Sequence, residues 1–124
     1  MSLNDSQYSK RDNNEPGAVL TSPVTSAALE LKSMLNIYER LIALLEETYD
    51  EGLDILTDSL TAITKRCREV LAQGDVETAG RQMVLQMREG LREFPQTLRA
   101  LLPGIGPRLG ESLQHKLGIQ FSRF

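Results

Sequence analysis

Between Val24 and Pro95 the chain has no proline, and its apolar residues repeat almost without interruption. Leu31, Leu35, Tyr38, Ile42, Leu45 and Tyr49 are separated by 4, 3, 4, 3 and 4 residues. Leu53, Leu56, Leu60, Ile63, Cys67 and Val70 resume at spacings of 3, 4, 3, 4 and 3. This alternation keeps one side of an α-helix apolar, and a period-two strand does not produce it. The step from Tyr49 to Leu53 is a four-residue insertion of the stutter type. Gly52 lies within that step and costs roughly 1 kcal/mol against alanine inside a helix. An uninterrupted helix from Ala27 to Ala72 would be about 70 Å long, whereas a compact domain of this size has a radius of gyration of about 13 Å. The chain therefore either bends near 49–52 and folds back, or stays straight and takes a partner helix. The clean recovery of the heptad phase favours the straight helix.

The rest of the chain extends this all-α expectation. Aromatic residues make up 5% of the sequence and tryptophan is absent, so the core must come from Leu, Ile, Val, Ala and Met, which suits helix packing. Gly74 reads as a helix stop and Asp75 as the cap of a second helix. Its stripe runs through Val76, Ala79, Met83, Met87, Leu91 and Phe94 and packs antiparallel on the first helix across a short loop. Gly80 and Gly90 would admit close neighbours. Pro95 stops or kinks that helix, "QTLRALL" restarts it, and a last helix runs from about Pro107 to Leu117 with Gly118 as its stop. Three regions result: a mobile polar arm at 1–24, a helical hairpin or coiled-coil-like body at 25–94, and a short basic helical hairpin with its tail at 95–124.

Composition narrows the function classes. The longest apolar run, Leu41–Leu45, is far too short to cross a bilayer. Residues 1–20 place no apolar stretch behind Lys10 and Arg11, so no secretory leader is expected, and a single cysteine fits a reducing, cytoplasmic setting. His115 and Cys67 are the only histidine and cysteine, and no metal-ligand spacing, phosphate-binding Walker loop or nucleophile elbow occurs. Cys67 falls on the apolar stripe, where a small buried hydrophobe is expected. The expectation is a non-enzymatic chain without cofactor or metal. It reads as an adaptor that self-associates and binds an as yet unidentified protein partner.

The surfaces for such partners can be named. The heptad stripe offers Leu45, Tyr49, Leu53, Leu56, Leu60 and Ile63 as an interface, joined by Met83 and Met87 from the second helix. Glu47, Glu51, Asp54 and Asp58 share one face of a continuous helix, and "KRCRE" at 65–69 carries the opposite sign. An antiparallel homo-oligomer would set the two clusters against each other. Residues 27–94, with "LNIYERLIALLEETYDEGLDIL" and "VLAQGDVETAGRQMVLQ", resemble the phasin family of small helical granule-coating proteins. That resemblance implies self-association and binding to an apolar surface through the same stripes.

One stretch departs from helical patterning: "LLPGIGPRLGESL" at 101–113. The net charge of the chain is −3, yet Pro95–Phe124 holds four basic residues against Glu111 alone, leaving the remainder strongly acidic. Leu102, Pro103, Gly104, Ile105 and Gly106, followed by Arg108, Gly110 and Leu113, resemble the helix-hairpin-helix element of DNA repair and competence proteins. The resemblance implies duplex DNA as a partner, with amides of Gly104, Ile105 and Gly106 on a phosphate and Arg108 and Lys116 adding contacts. Glycines expose successive N–H groups, and the following helix turns its positive end toward the anion. The same residues also suit a tight turn between two helices, with a helix-start proline.

Overall fold

Pro23 opens the first helix at a position where a missing N–H costs nothing, and the helix then runs without a break as α1, Pro23–Glu46. Three more helices follow: α2, Asp54–Ala72; α3, Glu77–Leu101; and α4, Gly106–Leu117, with a closing 3₁₀ turn at Phe121–Arg123. The computed structural model describes residues 23–48, 53–73 and 76–124, and of 23–25 only the backbone. The arm before Pro23 lies outside the described residues, as do Tyr49, Glu51, Gly52, Gly74 and Asp75. The fold is all-α, as the periodicity requires, and among the described residues no helix is long and apolar enough to cross a membrane.

The heptad segment is two helices, not one. α1 ends at Glu46, α2 begins at Asp54, and the two pack on each other. Cys67, late in α2, donates from its thiol toward the carbonyl of Leu31, early in α1, so the chain reverses between them. The straight-helix expectation fails for a physical reason. A long lone helix would leave its stripe in water, and folding back buries that stripe at roughly 25 cal/mol per Å² without needing a second chain.

The buried residues of α1 also shift the stripe by one position. Ala27, Leu31, Met34, Tyr38, Leu41 and Leu45 are buried, while Leu35 and Ile42 are only half covered. α1 has α2 on one flank and α3 on the other, so its apolar face is wider than the seam of a two-stranded coiled coil. Gly80 of α3 lies beside Ala27 and Leu31, and Tyr38 reaches Met87. α3 therefore runs parallel to α1 and antiparallel to α2.

Tyr38 is the polar pin of this packing. Its hydroxyl donates to the carbonyl of Met87 at 2.7 Å, and a Cβ on Gly90 would stand only 2.6 Å from that oxygen. Gly90 thus makes room for a phenol, not for another backbone. Loss of hydration on burial, with the Cys67 thiolate as a lesser cause, pushes the phenol up to about 12. An unfolded tyrosine ionises near 10, so the folded chain keeps its proton where the unfolded chain gives it up. This contribution is whole below about pH 10 and is lost as the pH rises toward 12, on the order of 2 kcal/mol. Urea titrations at mildly and strongly alkaline pH should show Tyr38→Phe less stable than wild type at the first and closing the gap at the second.

Pro95 neither ends nor restarts a helix: α3 runs through it to Leu101. An interior proline costs a helix about 3 kcal/mol. Here Leu91, Phe94 and Leu98 are all buried on the same helix, and their burial offsets that cost at about 1.5–3 kcal/mol per side chain. The boundary drawn between 94 and 95 consequently falls inside one helix.

Candidate functional site

The α3–α4 turn is built by backbone contact. The amide of Leu102 donates to the carbonyl of Leu98 at 2.8 Å, and the amide of Gly106 donates to the carbonyl of Leu102 at 2.6 Å. A Cβ on Gly106 would collide with the carbonyl of Leu98 and stand 3.0 Å from the Cα of Arg99. Gly110, one turn on, faces the side chain of Leu98. The two glycines, with Leu113 and Leu117, form the buried face of α4, so the helices cross at a distance that only small residues permit.

Opposite this buried face the turn is open. Gly104 is exposed, Ile105 is 46% exposed, and Arg108 is exposed. Among the described residues the N–H groups of Gly104, Ile105 and Arg108 have no hydrogen-bond partner. They lie at the N-terminal end of α4, where the partial positive charge of the helix is. Gly106 differs from its sequence-based role: its amide is taken by Leu102 and it is buried, so it shapes the turn and offers no donor. Lys116 is exposed but lies two turns along α4 from Arg108, roughly 12 Å away, and could reach only a separate phosphate.

Arg99 is a basic neighbour that the motif alone does not single out. It lines a cleft of about 200 Å³ between α3 and α4 with Pro95, Gly106, Pro107, Gly110 and Glu111. The signal available in the sequence was its place in the last turn of α3. The other end of α4 is fixed as firmly as the first. Gly118 adopts φ 70°, and the amides of Gly118 and Ile119 donate to the carbonyls of His115 and Gln114, the paired bonds of a Schellman motif. The Gln114 side chain then accepts from the amide of Phe121 at 2.8 Å.

The stripe residues read as an interface have a different position. Leu45, Leu53, Leu56, Leu60, Met83 and Met87 are buried in the chain's own core, and Ile63 is half-buried. Their apolar surface is satisfied within one chain and is not on offer to another. The continuous acidic face is also divided: Glu47 follows the end of α1, whereas Asp54 and Asp58 belong to α2. From the basic cluster, Arg68 pairs with Glu39 on α1, an exposed ion pair of the kind that contributes about 0–1 kcal/mol.

A groove of about 470 Å³ brings Ile55, Leu56 and Ser59 of α2 beside Glu93, Thr97, Ala100 and Leu101 of α3. The start of α2, with Asp54 and Asp58, therefore shares one end of the molecule with the α3–α4 turn. Comparisons with known protein families, characterised proteins and solved structures give no match.

Proposed function

We propose that the chain is a non-enzymatic helical adaptor for a macromolecular partner, and that the partner its α3–α4 turn suits best is the phosphate backbone of duplex DNA. The carrying observation is that three unpartnered N–H groups, at Gly104, Ile105 and Arg108, lie on one open turn. Amide donors, a helix N-terminus and a guanidinium select an anion and carry no information about bases. The carboxylates of Asp54, Asp58 and Glu93 at the same end oppose a polyanion. Binding is therefore weak and strongly screened.

A fluorescence-anisotropy titration of a labelled random-sequence duplex tests this. Two neutralised phosphates give a slope near −2 in log affinity against log salt, so binding should fall roughly 15-fold between about 50 and 200 mM salt. Gly104→Asp should abolish it, because the new carboxylate stands at the donors while the position has open space around it. Arg108→Glu should weaken it more than Lys116→Glu. A folded wild type that does not bind, or whose binding Gly104→Asp leaves unchanged, overturns the reading.

A further inference from the structure

α2 has a face that neither of its neighbours covers. Leu56, Leu60, Thr64 and Cys67 point into the core, and on the opposite side stand Asp54, Asp58, Thr61 and Lys65, all exposed. Beside that strip, toward α3, run Ile55, Ser59, Ala62 and Arg66, exposed as well. Ile55 is 71% exposed, the most open large apolar side chain among the described residues, and Leu101 across the groove is 39% exposed. A helix of this kind, apolar at one end of its outer face and small in the middle, has room for another helix on top of it.

Its charges are ordered. Asp54 and Asp58 occupy the first half of the face, and Lys65 and Arg66 the second, where the exposed Glu69 one turn beyond Lys65 reduces the positive charge without reversing it. Neither aspartate, nor Lys65 or Arg66, has an ion pair among the described residues. Rotating α2 by a two-fold axis near Thr61 inverts that order, so each acidic half meets a basic half. A parallel pairing would set like charges together, and a nucleic acid or a partner of one sign would be repelled by half of the face. The pattern is complementary to itself, which is the requirement of an isologous interface.

We propose that this face binds a second copy of the chain, in a two-fold antiparallel α2–α2 dimer where Asp54 and Asp58 of each copy face Lys65 and Arg66 of the other. Ser59 and Ala62 at the centre let the backbones approach, and Ile55 packs along the aliphatic stem of the partner's Arg66. The inference is independent of the nucleic-acid reading, since it uses no residue of the α3–α4 turn. One exposed helix pair with a charged rim makes a small interface, so the dimer is weak and sensitive to salt.

Sedimentation velocity of the full chain, from about 1 to about 100 µM and from about 20 mM to about 0.5 M salt, decides the matter. At low salt the mass should rise with concentration from 13.9 kDa toward twice that value, and salt should return it to the monomer. Asp54→Lys with Asp58→Lys turns the acidic half basic, and Lys65→Glu with Arg66→Glu turns the basic half acidic. Each double variant, with helicity matched to wild type by circular dichroism, should dimerise at least about tenfold more weakly. Their equimolar mixture should form a one-to-one dimer tighter than wild type. A mass of 13.9 kDa under every condition, a dimer untouched in both variants, or a mixture that stays monomeric overturns the proposal.

Discussion

Gly106→Val is expected to cost the protein about 3 kcal/mol or more. The added Cβ meets the carbonyl and Cα of residues 98 and 99, and a helix backbone cannot step aside as a flexible side chain does. α4 would have to move off α3, loosening contacts to Leu98, Leu113 and Leu117, all of them buried. Urea denaturation followed by circular dichroism should show a lower midpoint, with proteases cutting first between 101 and 118. Gly104→Ala is the matched control. Nothing lies within 4 Å of its added methyl and its φ is not in the left-handed region, so it should leave stability unchanged or raise it by about 0.4–1 kcal/mol. Equal midpoints for Gly106→Val and wild type would show that the helices do not cross as closely as this. The same contact makes Gly106→Val a poor probe of ligand binding, because any loss would follow from the broken turn.

Phe121→Ala is expected to lower stability by about 3–5 kcal/mol. Phe121 is fully buried, and its ring stands against Phe94 with centroids 5.2 Å apart at 46°, a geometry worth about 0.5–1.5 kcal/mol beyond the area buried. Besides the ring contact to α3, the Gln114 side chain of α4 holds the amide of Phe121, and Arg88 of α3 donates to the carbonyl of Phe124. The variant should lose both its urea midpoint and its resistance to carboxypeptidase, whereas Phe124→Ala, at a half-buried position, should lose much less stability. A tail that stays protected in Phe121→Ala would mean the ring is not what docks it.

How much of this was legible beforehand depends on the range of the interaction. The spacing of apolar residues placed the start of α3, and Pro107 and Gly118 bounded α4 to within a residue, but the end of α3 fell at Leu101 and not at Pro95. Gly118 could be named as a stop because the left-handed cap is a property of a single residue. The α3–α4 turn was legible too, as a string of two glycines and two prolines. What the string did not reveal is that Gly106 is consumed by packing while Gly104 remains open. That difference lies in the neighbouring helix, not in the turn. The described stripe residues make their apolar contacts within the chain, which the sequence does not reveal, since a heptad pattern has the same form whether the facing helix belongs to the same chain or another.

The sequence by itself determined that the chain is helical, where the final helix stops and which residues could fill a core, because these follow from local propensity and period. Tertiary structure alone decided three other matters: that α1 and α2 are antiparallel halves of one seam, that Pro95 is carried within α3, and that Met34 and Leu41 displace Leu35 and Ile42 in the core. Each turns on whether burial between distant segments outweighs a local cost, and that balance is set only when the helices meet.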